Sequence, residues 1–305
     1  MSAHGETIAA PGPARAVDRP ATARRVKDVG FRLALVGCVA IAFLLLGVLL
    51  WDVVRDGAGR LNVDFITSFA STNADQAGIQ GALWGTIWIM GVCALFIIPV
   101  GVATAIYLEE YADNDRWYNR LIEVNIQNLA AVPSIVYGIL GLAFLVRGPL
   151  SLGPVVLAGG LTLGLLVLPV VIIAGREAIR AVPPSIREGS MALGATQWQT
   201  IWRQVLPASI PGIATGVILA LSRAIGETAP LIVIGTATFV AFDPDGVNSL
   251  FTAMPIQIFE WISRASNDIN NYKPLAAAGI LLLILLLLAM NSVAIWLRNR
   301  YEQKW

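Results

Sequence analysis

Two opposite charges lie in an apolar stretch of the sequence and are its strongest candidates for chemistry. Arg223 and Glu227 are four residues apart, and the runs 212–221 and 231–242 on either side of them carry no charge. Charged residues inside a membrane helix are costly and usually face a bundle interior or a polar pathway. Residues four apart on a helix are neighbours. The spacing therefore predicts an ion pair near the middle of a membrane-spanning helix, facing either a bundle interior or a polar pathway.

The residue types in this pair suit an anion. An arginine stays charged and can donate two parallel hydrogen bonds to a phosphate-like group, and Glu227 would limit the cost of burying Arg223 unpaired. Small residues recur at every fourth position on an adjacent face, which predicts a closely packed neighbouring helix. These are Gly212, Gly216, Ala220, Ala224 and Thr228. The residues alone leave a pathway role, a gate and a structural staple between helices open.

The composition is that of a membrane protein. Of the 305 residues, 56% are hydrophobic and only 13% are charged, whereas soluble domains carry about 25% charged residues. Cys38 and Cys93 lie in apolar stretches, and the one histidine, His4, is near the N-terminus. A disulfide framework, a zinc or haem site and a histidine-based catalytic site therefore have almost no ligands here. We expect no metal or cofactor in this chain.

Six apolar stretches are long enough to cross a bilayer as helices. They cover residues 33–51, 83–108, 126–146, 155–175, 212–240 and 275–297. Pro99, Pro133 and Pro169 fall inside these stretches and predict kinks of the kind that membrane helices tolerate. The sequence thus predicts a disordered tail over residues 1–30, a six-span domain over 31–300 and a short tail over 301–305.

The basic residues predict the orientation. Fifteen of the 21 Lys and Arg residues lie in the two tails and in the loops 109–123 and 176–211, five lie in the other loops, and one is Arg223. The positive-inside rule therefore places both termini and the loop 176–211 in the cytoplasm. The acidic run 109–115 lies on the same side, and a solvated surface loop is favoured there over a metal site.

The loop 176–211 is too long and too patterned for a simple connection. Pro183 and Pro184 predict a helix end, and the Ser-x-x-Glu spacing at 185–188 predicts a capping box that starts another helix. An apolar stripe then follows at helical spacing, and two prolines are expected to close the segment. The stripe is Trp198, Ile201, Trp202 and Val205, and the prolines are Pro207 and Pro211. We predict a helical hairpin outside the bilayer, either a docking surface or a helix lying on lipid headgroups.

This loop resembles the EAA loop of ABC-transporter permeases. The residues that fit the family pattern are Glu188, Ala192, Leu193, Gly194, Ala195, Leu206 and Pro207. Gly189 and Ser190 stand where the family has two alanines, and Gln204 stands at its isoleucine position. The resemblance implies a coupling helix that sits in a groove of a cytoplasmic ATPase. The chain has no Gly-Lys pair for a phosphate-binding Walker A loop, so ATP and Mg are expected on the partner ATPase and this chain is not expected to be an enzyme.

The Arg-Ala-Ile-Gly-Glu-Thr-Ala-Pro run at 223–230 resembles permeases of phosphate-specific transport (Pst), and its ending resembles PstA-type more than PstC-type subunits. The segments 131–138 and 192–196 agree, and the resemblance runs from about residue 80 to the C-terminus. It implies an all-α, polytopic protein of six transmembrane helices with the MetI-like ABC permease fold, multi-pass in the bacterial inner membrane. It also implies phosphate as cargo and Arg223 and Glu227 as substrate-pathway residues.

The implied partners are a PstC-like permease in a heterodimer, two PstB-like ATPase subunits, a PstS-like phosphate-binding protein, the lipid bilayer and inorganic phosphate, with no nucleic acid. Two rival functions stay open. One is an ABC permease for another oxyanion, such as sulfate or molybdate. The other is an ion-coupled secondary transporter with Glu227 as its proton site, although the absence of a visible internal repeat disfavours it.

Overall fold

A computed structural model of the chain describes residues 21–113, 116–236, 239–264 and 271–301. It divides into a first unit that ends at Asp52 and a second that begins at Val53. The described residues form helices and no strand, and the only β-type pairing among them is a bridge between Val155 and Leu250. The all-α architecture expected from the sequence is therefore confirmed.

The described part of the chain contains twelve α-helices. They are α1 Ala21–Gly57, α2 Val63–Thr67, α3 Gln80–Ile106, α4 Trp117–Ala130, α5 Ser134–Leu140, α6 Val156–Arg180, α7 Pro184–Ala192, α8 Gln197–Thr200, α9 Leu206–Ala224, α10 Ala229–Val233, α11 Met254–Ser263 and α12 Lys273–Tyr301. A 3-10 turn, Ala58–Arg60, follows α1. Three π-helical turns extend or join these helices: Tyr107–Tyr111 after α3, Gly141–Val146 after α5, and Ile201–Val205 between α8 and α9.

Five of the described helices are long and apolar enough to cross a membrane, or six if one bent pair forms a single span. Helices α1, α3, α6 and α12 match the first, second, fourth and sixth predicted spans, and Pro99 and Pro169 lie inside α3 and α6 as expected. Helix α1 begins at Ala21, so residues 21–30, assigned to the tail from sequence, are helical. Residues 1–20 and 302–305 lie outside the described part.

The third predicted span, 126–146, is not one kinked helix. Helices α4 and α5 meet at an angle of 109°, and Pro133 between them has an extended backbone with φ −56° and ψ 139°. Proline disfavours the helical conformation of the residue before it, which ends α4. Helix α5 and its π turn cover 13 residues, or about 20 Å, which is shorter than a bilayer core of about 30 Å.

The fifth predicted span, 212–240, is wrong at both ends. The helix in this region runs from Gln197 to Ala224 and is a candidate span by its length and composition. Its last part, α9, begins at Leu206 and stops before Glu227. Gly226 and Pro230 explain the stop, because glycine weakens a helix and proline at 230 cannot bond the carbonyl of residue 226. The prediction that Arg223 and Glu227 share the middle of one continuous helix is therefore wrong.

Small residues hold the centre of the second unit together. Helix α6 packs against both α3 and α9. A Cβ atom on Gly212 would lie 2.6 Å from the Cβ of Ala178, and one on Gly216 would collide with Ala174. Ala220 and Ala224 on the same face of α9 are buried. The predicted stripe thus faces α6, and only its last member, Thr228, lies beyond the helix end.

We expect Gly216→Leu to destabilise the protein through the α6–α9 contact. The leucine has no room against Ala174, and overpacking of this kind costs about 1–3 kcal/mol. Gly91→Leu is the matched control, because Gly91 lies in α3 and nothing lies within 4 Å of the position that a Cβ on it would take. Thermal unfolding of the purified protein in detergent measures both, and equal midpoints would contradict the close contact.

Candidate functional site

The predicted ion pair forms at the end of α9. Arg223 lies in the last turn of the helix, where a positive charge interacts favourably with the helix dipole. Glu227 lies in the turn that follows, and its Oε1 is 3.4 Å from Nε of Arg223. The Arg223 side chain is 44% exposed and that of Glu227 is 19% exposed. The pair is therefore partly exposed on this chain and is not sealed inside its own helix bundle.

Most of the hydrogen-bonding capacity of Arg223 is unused. Within the described ranges its one hydrogen bond runs from Nε to Glu227, so both terminal guanidinium nitrogens lack a protein acceptor there. The two terminal nitrogens carry four N–H donors on a planar fork. Such a fork can bind two oxygens of a phosphate-like anion at once. Glu227 contacts the guanidinium at Nε and leaves the two terminal nitrogens unoccupied.

Two sequence segments that are far apart along the chain meet beside this pair. Helix α10, which begins just after Glu227, packs against α5. A Cβ on Gly138 would lie 2.7 Å from Cα of Pro230 and 2.9 Å from Cβ of Val233, so only glycine fits. Tyr137 is buried, and its hydroxyl donates to the carbonyl of Leu129 at 2.8 Å.

The neighbouring polar groups act mainly in helix packing. Ser222 donates to Oδ1 of Asn291 at 2.7 Å and so links α9 to α12. The hydroxyl of Tyr137 is likewise committed to the carbonyl of Leu129. Gln127 and Asn128 are exposed on α4.

A second feature is the hairpin of α7 and α8, which presents an apolar tip. The tip consists of Met191, Leu193, Gly194 and Trp198. Leu193 is 92% exposed, and Gly194 has φ +88°, a left-handed conformation that glycine adopts without strain. Nothing lies within 4 Å of the position that a Cβ on Gly194 would take. Trp198 is also exposed and stacks edge-on against Trp202 at 5.3 Å.

Residues 97–304 match the family described as binding-protein-dependent transport system inner membrane component. The chain belongs to this family. It is 31% identical over 276 residues to the probable ABC transporter permease YqgI of Bacillus subtilis, covering 88% of this chain and 93% of that one. It is 36% identical over 223 residues to the phosphate transport system permease protein PstA 1 of Mycobacterium tuberculosis, covering 72% of each.

Solved structures agree on the fold. A chain of a bacterial alginate ABC transporter, in complex with its alginate-bound periplasmic protein, superposes with a TM-score of 0.66 at 17% identity, covering 92% of this chain and 98% of that chain. A chain of the MetNI methionine ABC transporter superposes with a TM-score of 0.58 at 16% identity, covering 73% and 95%. The protein is thus a multi-pass membrane permease with the fold of ABC importers.

The structure distributes the residues predicted for ATPase coupling over two places. Glu188, Ala192, Leu193 and Gly194 are exposed on α7 and at the tip, and Ala195 is half-buried. Leu206 and Pro207 lie in the first turn of α9, and Leu206 packs against the core of the permease. Helix α7 and the tip therefore carry the accessible part of the motif, and the C-terminal part of the motif packs α9 against the permease core.

Several local predictions for this hairpin need correction. Pro183, not Ser185, is the N-cap of α7 and makes no side-chain bond, whereas a capping box forms at Thr196 and Gln199. A proline at the start of a helix loses no hydrogen bond, so no side-chain cap is needed. Pro207 and Pro211 do not close the segment but lie in α9. The preceding π turn, Ile201–Val205, shifts the hydrogen-bond register before Pro207.

The apolar stripe of this hairpin also divides in two. Ile201 and Val205 are buried, whereas Trp198 and Trp202 are about half exposed. A π turn rotates successive residues differently from an α-helix, so side chains at i, i+3, i+4 and i+7 no longer share one face. The two tryptophans are left on the accessible side of the hairpin.

The first two residues of the acidic run do not lie in a solvated loop, whereas Asp113 is 54% exposed as expected. Glu109 and Glu110 lie in the π turn after α3, and their side chains are 15% and 9% exposed. Both are paired with arginines of α6 and α7. Among the described residues, no cluster of His, Cys, Asp or Glu has the arrangement of a metal site. The sequence contains the residue types for these ion pairs, because two adjacent carboxylates precede a loop with arginines at 176, 180 and 187. It does not show which carboxylate pairs with which arginine.

Proposed function

We propose that this permease carries inorganic phosphate across the bacterial inner membrane as a subunit of an ATP-driven importer. The single observation that carries the proposal is the half-exposed guanidinium of Arg223, held by Glu227 through Nε while its terminal nitrogens stay free of acceptors in the described part of the chain. The phosphate transport system permease PstA 1 of Mycobacterium tuberculosis, which is 36% identical over 72% of its length, supports the choice of phosphate as the anion.

The chain's role is to bind, orient and release the anion, with no bond chemistry. Arg223 would take two phosphate oxygens on its fork, and Glu227 would keep the guanidinium positioned between passages. Because α9 ends at Ala224, Arg223 lies on the helix and Glu227 on the short turn after it, and a small shift of α10 against α5 would move Glu227 relative to Arg223. This turn is where we place the gate.

Energy is proposed to enter at the tip of the hairpin of α7 and α8. The exposed Leu193 beside a left-handed Gly194 offers an apolar knob that fits a groove in a partner ATPase. The proposed assembly contains a PstC-like permease, two PstB-like ATPase subunits that bind ATP and Mg, and a PstS-like phosphate-binding protein. The charge distribution supports cytoplasmic termini and a cytoplasmic tip.

The source of energy distinguishes this proposal from a secondary transporter. We expect proteoliposomes of the assembled complex, supplied with phosphate-binding protein outside, to take up labelled phosphate when ATP is enclosed. An imposed proton gradient without ATP should give no uptake. ADP in place of ATP is the control, and uptake that follows the gradient without ATP would overturn the proposal in favour of a proton site at Glu227.

A further inference from the structure

Glu110 and Arg187 form an ion pair that the site described above does not use. Arg187, in the first turn of α7, donates from Nε at 3.0 Å and from Nη2 at 2.7 Å to Oε1 of Glu110. The side chains of Arg187 and Glu110 are 20% and 9% exposed. Removing one partner of an ion pair this shielded from water strongly destabilises the folded protein, because the other charge is left buried and uncompensated.

Arg187 also binds the end of α6. Its Nη1 donates to the carbonyl of Val182 at 2.6 Å, and its Nη2 donates to the carbonyl of Ile179 at 2.9 Å. The last carbonyls of a helix have no partner within the helix, so Arg187 caps α6 from outside. One side chain of α7 thereby ties together the ends of α3 and α6.

Helix α8 is attached to the same point. Nε2 of Gln197 donates to the backbone carbonyl of Glu110 at 2.7 Å. Thr200 of α8 donates to Oγ of Ser190 in α7 at 2.9 Å. Both arms of the hairpin therefore meet at Glu110, while the tip beyond them makes no close contact at Gly194.

The neighbouring carboxylate makes a separate connection. Glu109 receives two hydrogen bonds of 2.9 Å from Arg180 and lies 3.5 Å from Nε of Arg176. Arg176 in turn donates to Glu123 of α4 at 2.8 Å. Within the π turn, Glu109 thus contacts the body of the permease and Glu110 contacts the hairpin. Such π turns are often found at functional positions.

We propose that Glu110 and Arg187 are positioning residues that transmit movement of the α7–α8 hairpin to α3 and α6. The proposal rests on the proposed function, in which the hairpin receives motion from an ATPase. Movement of the tip would displace α3 and α6 because charged hydrogen bonds attach the hairpin to the ends of these helices. Without these hydrogen bonds, the hairpin would move while α3 and α6 stayed in place.

The test combines amide hydrogen exchange over residues 184–192 with the ratio of phosphate transported to ATP hydrolysed, both on the assembled complex. We expect Glu110→Gln to speed exchange in this segment about tenfold, the factor equivalent to about 1.4 kcal/mol. We expect the transport ratio to fall about fivefold, the lower end of typical coupling effects. Glu177→Gln is the matched control, because Glu177 pairs with Arg180 nearby but is 64% exposed.

Gln197→Ala provides a milder second variant, should Glu110→Gln fail to assemble, and is expected to change both readings in the same direction by a smaller factor. Unchanged hydrogen exchange in Glu110→Gln would contradict the claim that Glu110 attaches the hairpin to α3 and α6. Faster exchange with an unchanged transport ratio would contradict the claim that this attachment transmits movement. If the wild-type complex shows no ATP-dependent phosphate uptake, the proposed function fails, whereas the exchange measurement still reports on this attachment.

Discussion

Arg223→Ala is expected to abolish phosphate uptake while the transporter still assembles. The variant removes both terminal guanidinium nitrogens, and two charge-assisted hydrogen bonds to a phosphate are together equivalent to a loss of about 100-fold or more. Folding should be spared, because the Arg223 side chain is 44% exposed and its one protein partner in the described residues is Glu227. Uptake of labelled phosphate by cells expressing the complex measures the effect.

The matched variants separate binding from gating. Arg223→Lys keeps the charge but loses the fork, so we expect uptake between those of the wild type and Arg223→Ala. Glu227→Gln leaves the guanidinium in place and tests the resting partner. Pull-down of the partner subunits establishes that each variant assembles, and normal uptake by an expressed Arg223→Ala variant would contradict a pathway role.

Gly194→Trp is expected to weaken binding of the ATPase subunits about tenfold or more, since one lost contact of about 1.4 kcal/mol has that effect. A Cβ at this position meets nothing within 4 Å, and we expect the larger ring to obstruct a partner at the tip. Quantitative pull-down of the ATPase with the permease measures the change.

The control for this variant is Gly194→Ala. Both substitutions force a residue with a Cβ into φ +88°, which costs about 1–2 kcal/mol in either case. The difference between them therefore reports the effect of bulk at the tip and not of backbone strain. Equal ATPase stoichiometry for the alanine and tryptophan variants would contradict docking at Gly194.

The positions of most long helices could be predicted from the sequence, whereas the points at which helices break could not. Long apolar runs located α1, α3, α6 and α12 because the length of a membrane span leaves few alternatives. The sequence predicts only tolerable kinks, and Pro99 and Pro169 do lie within helices. It does not predict the breaks at Pro133 and before Pro230. A proline ends a helix or is absorbed by it according to its tertiary neighbours, which local sequence does not specify.

The candidate site shows the same division. The Arg223–Glu227 pair follows from local spacing and is present at 3.4 Å. The contact of Pro230 with Gly138 joins segments about ninety residues apart, and the Glu110–Arg187 pair joins residues 77 apart. Such contacts depend on how the helices pack, so a single sequence showed the residue types without showing which ones meet.

The most direct test of phosphate as the cargo is uptake of labelled phosphate, in competition with sulfate and molybdate, by cells whose only phosphate importer contains this chain. We expect uptake to persist unchanged in a large excess of sulfate or molybdate, to be displaced by unlabelled phosphate, and to vanish in the Arg223→Ala variant. Uptake that sulfate or molybdate abolishes, or labelled sulfate carried in place of phosphate, would contradict the account.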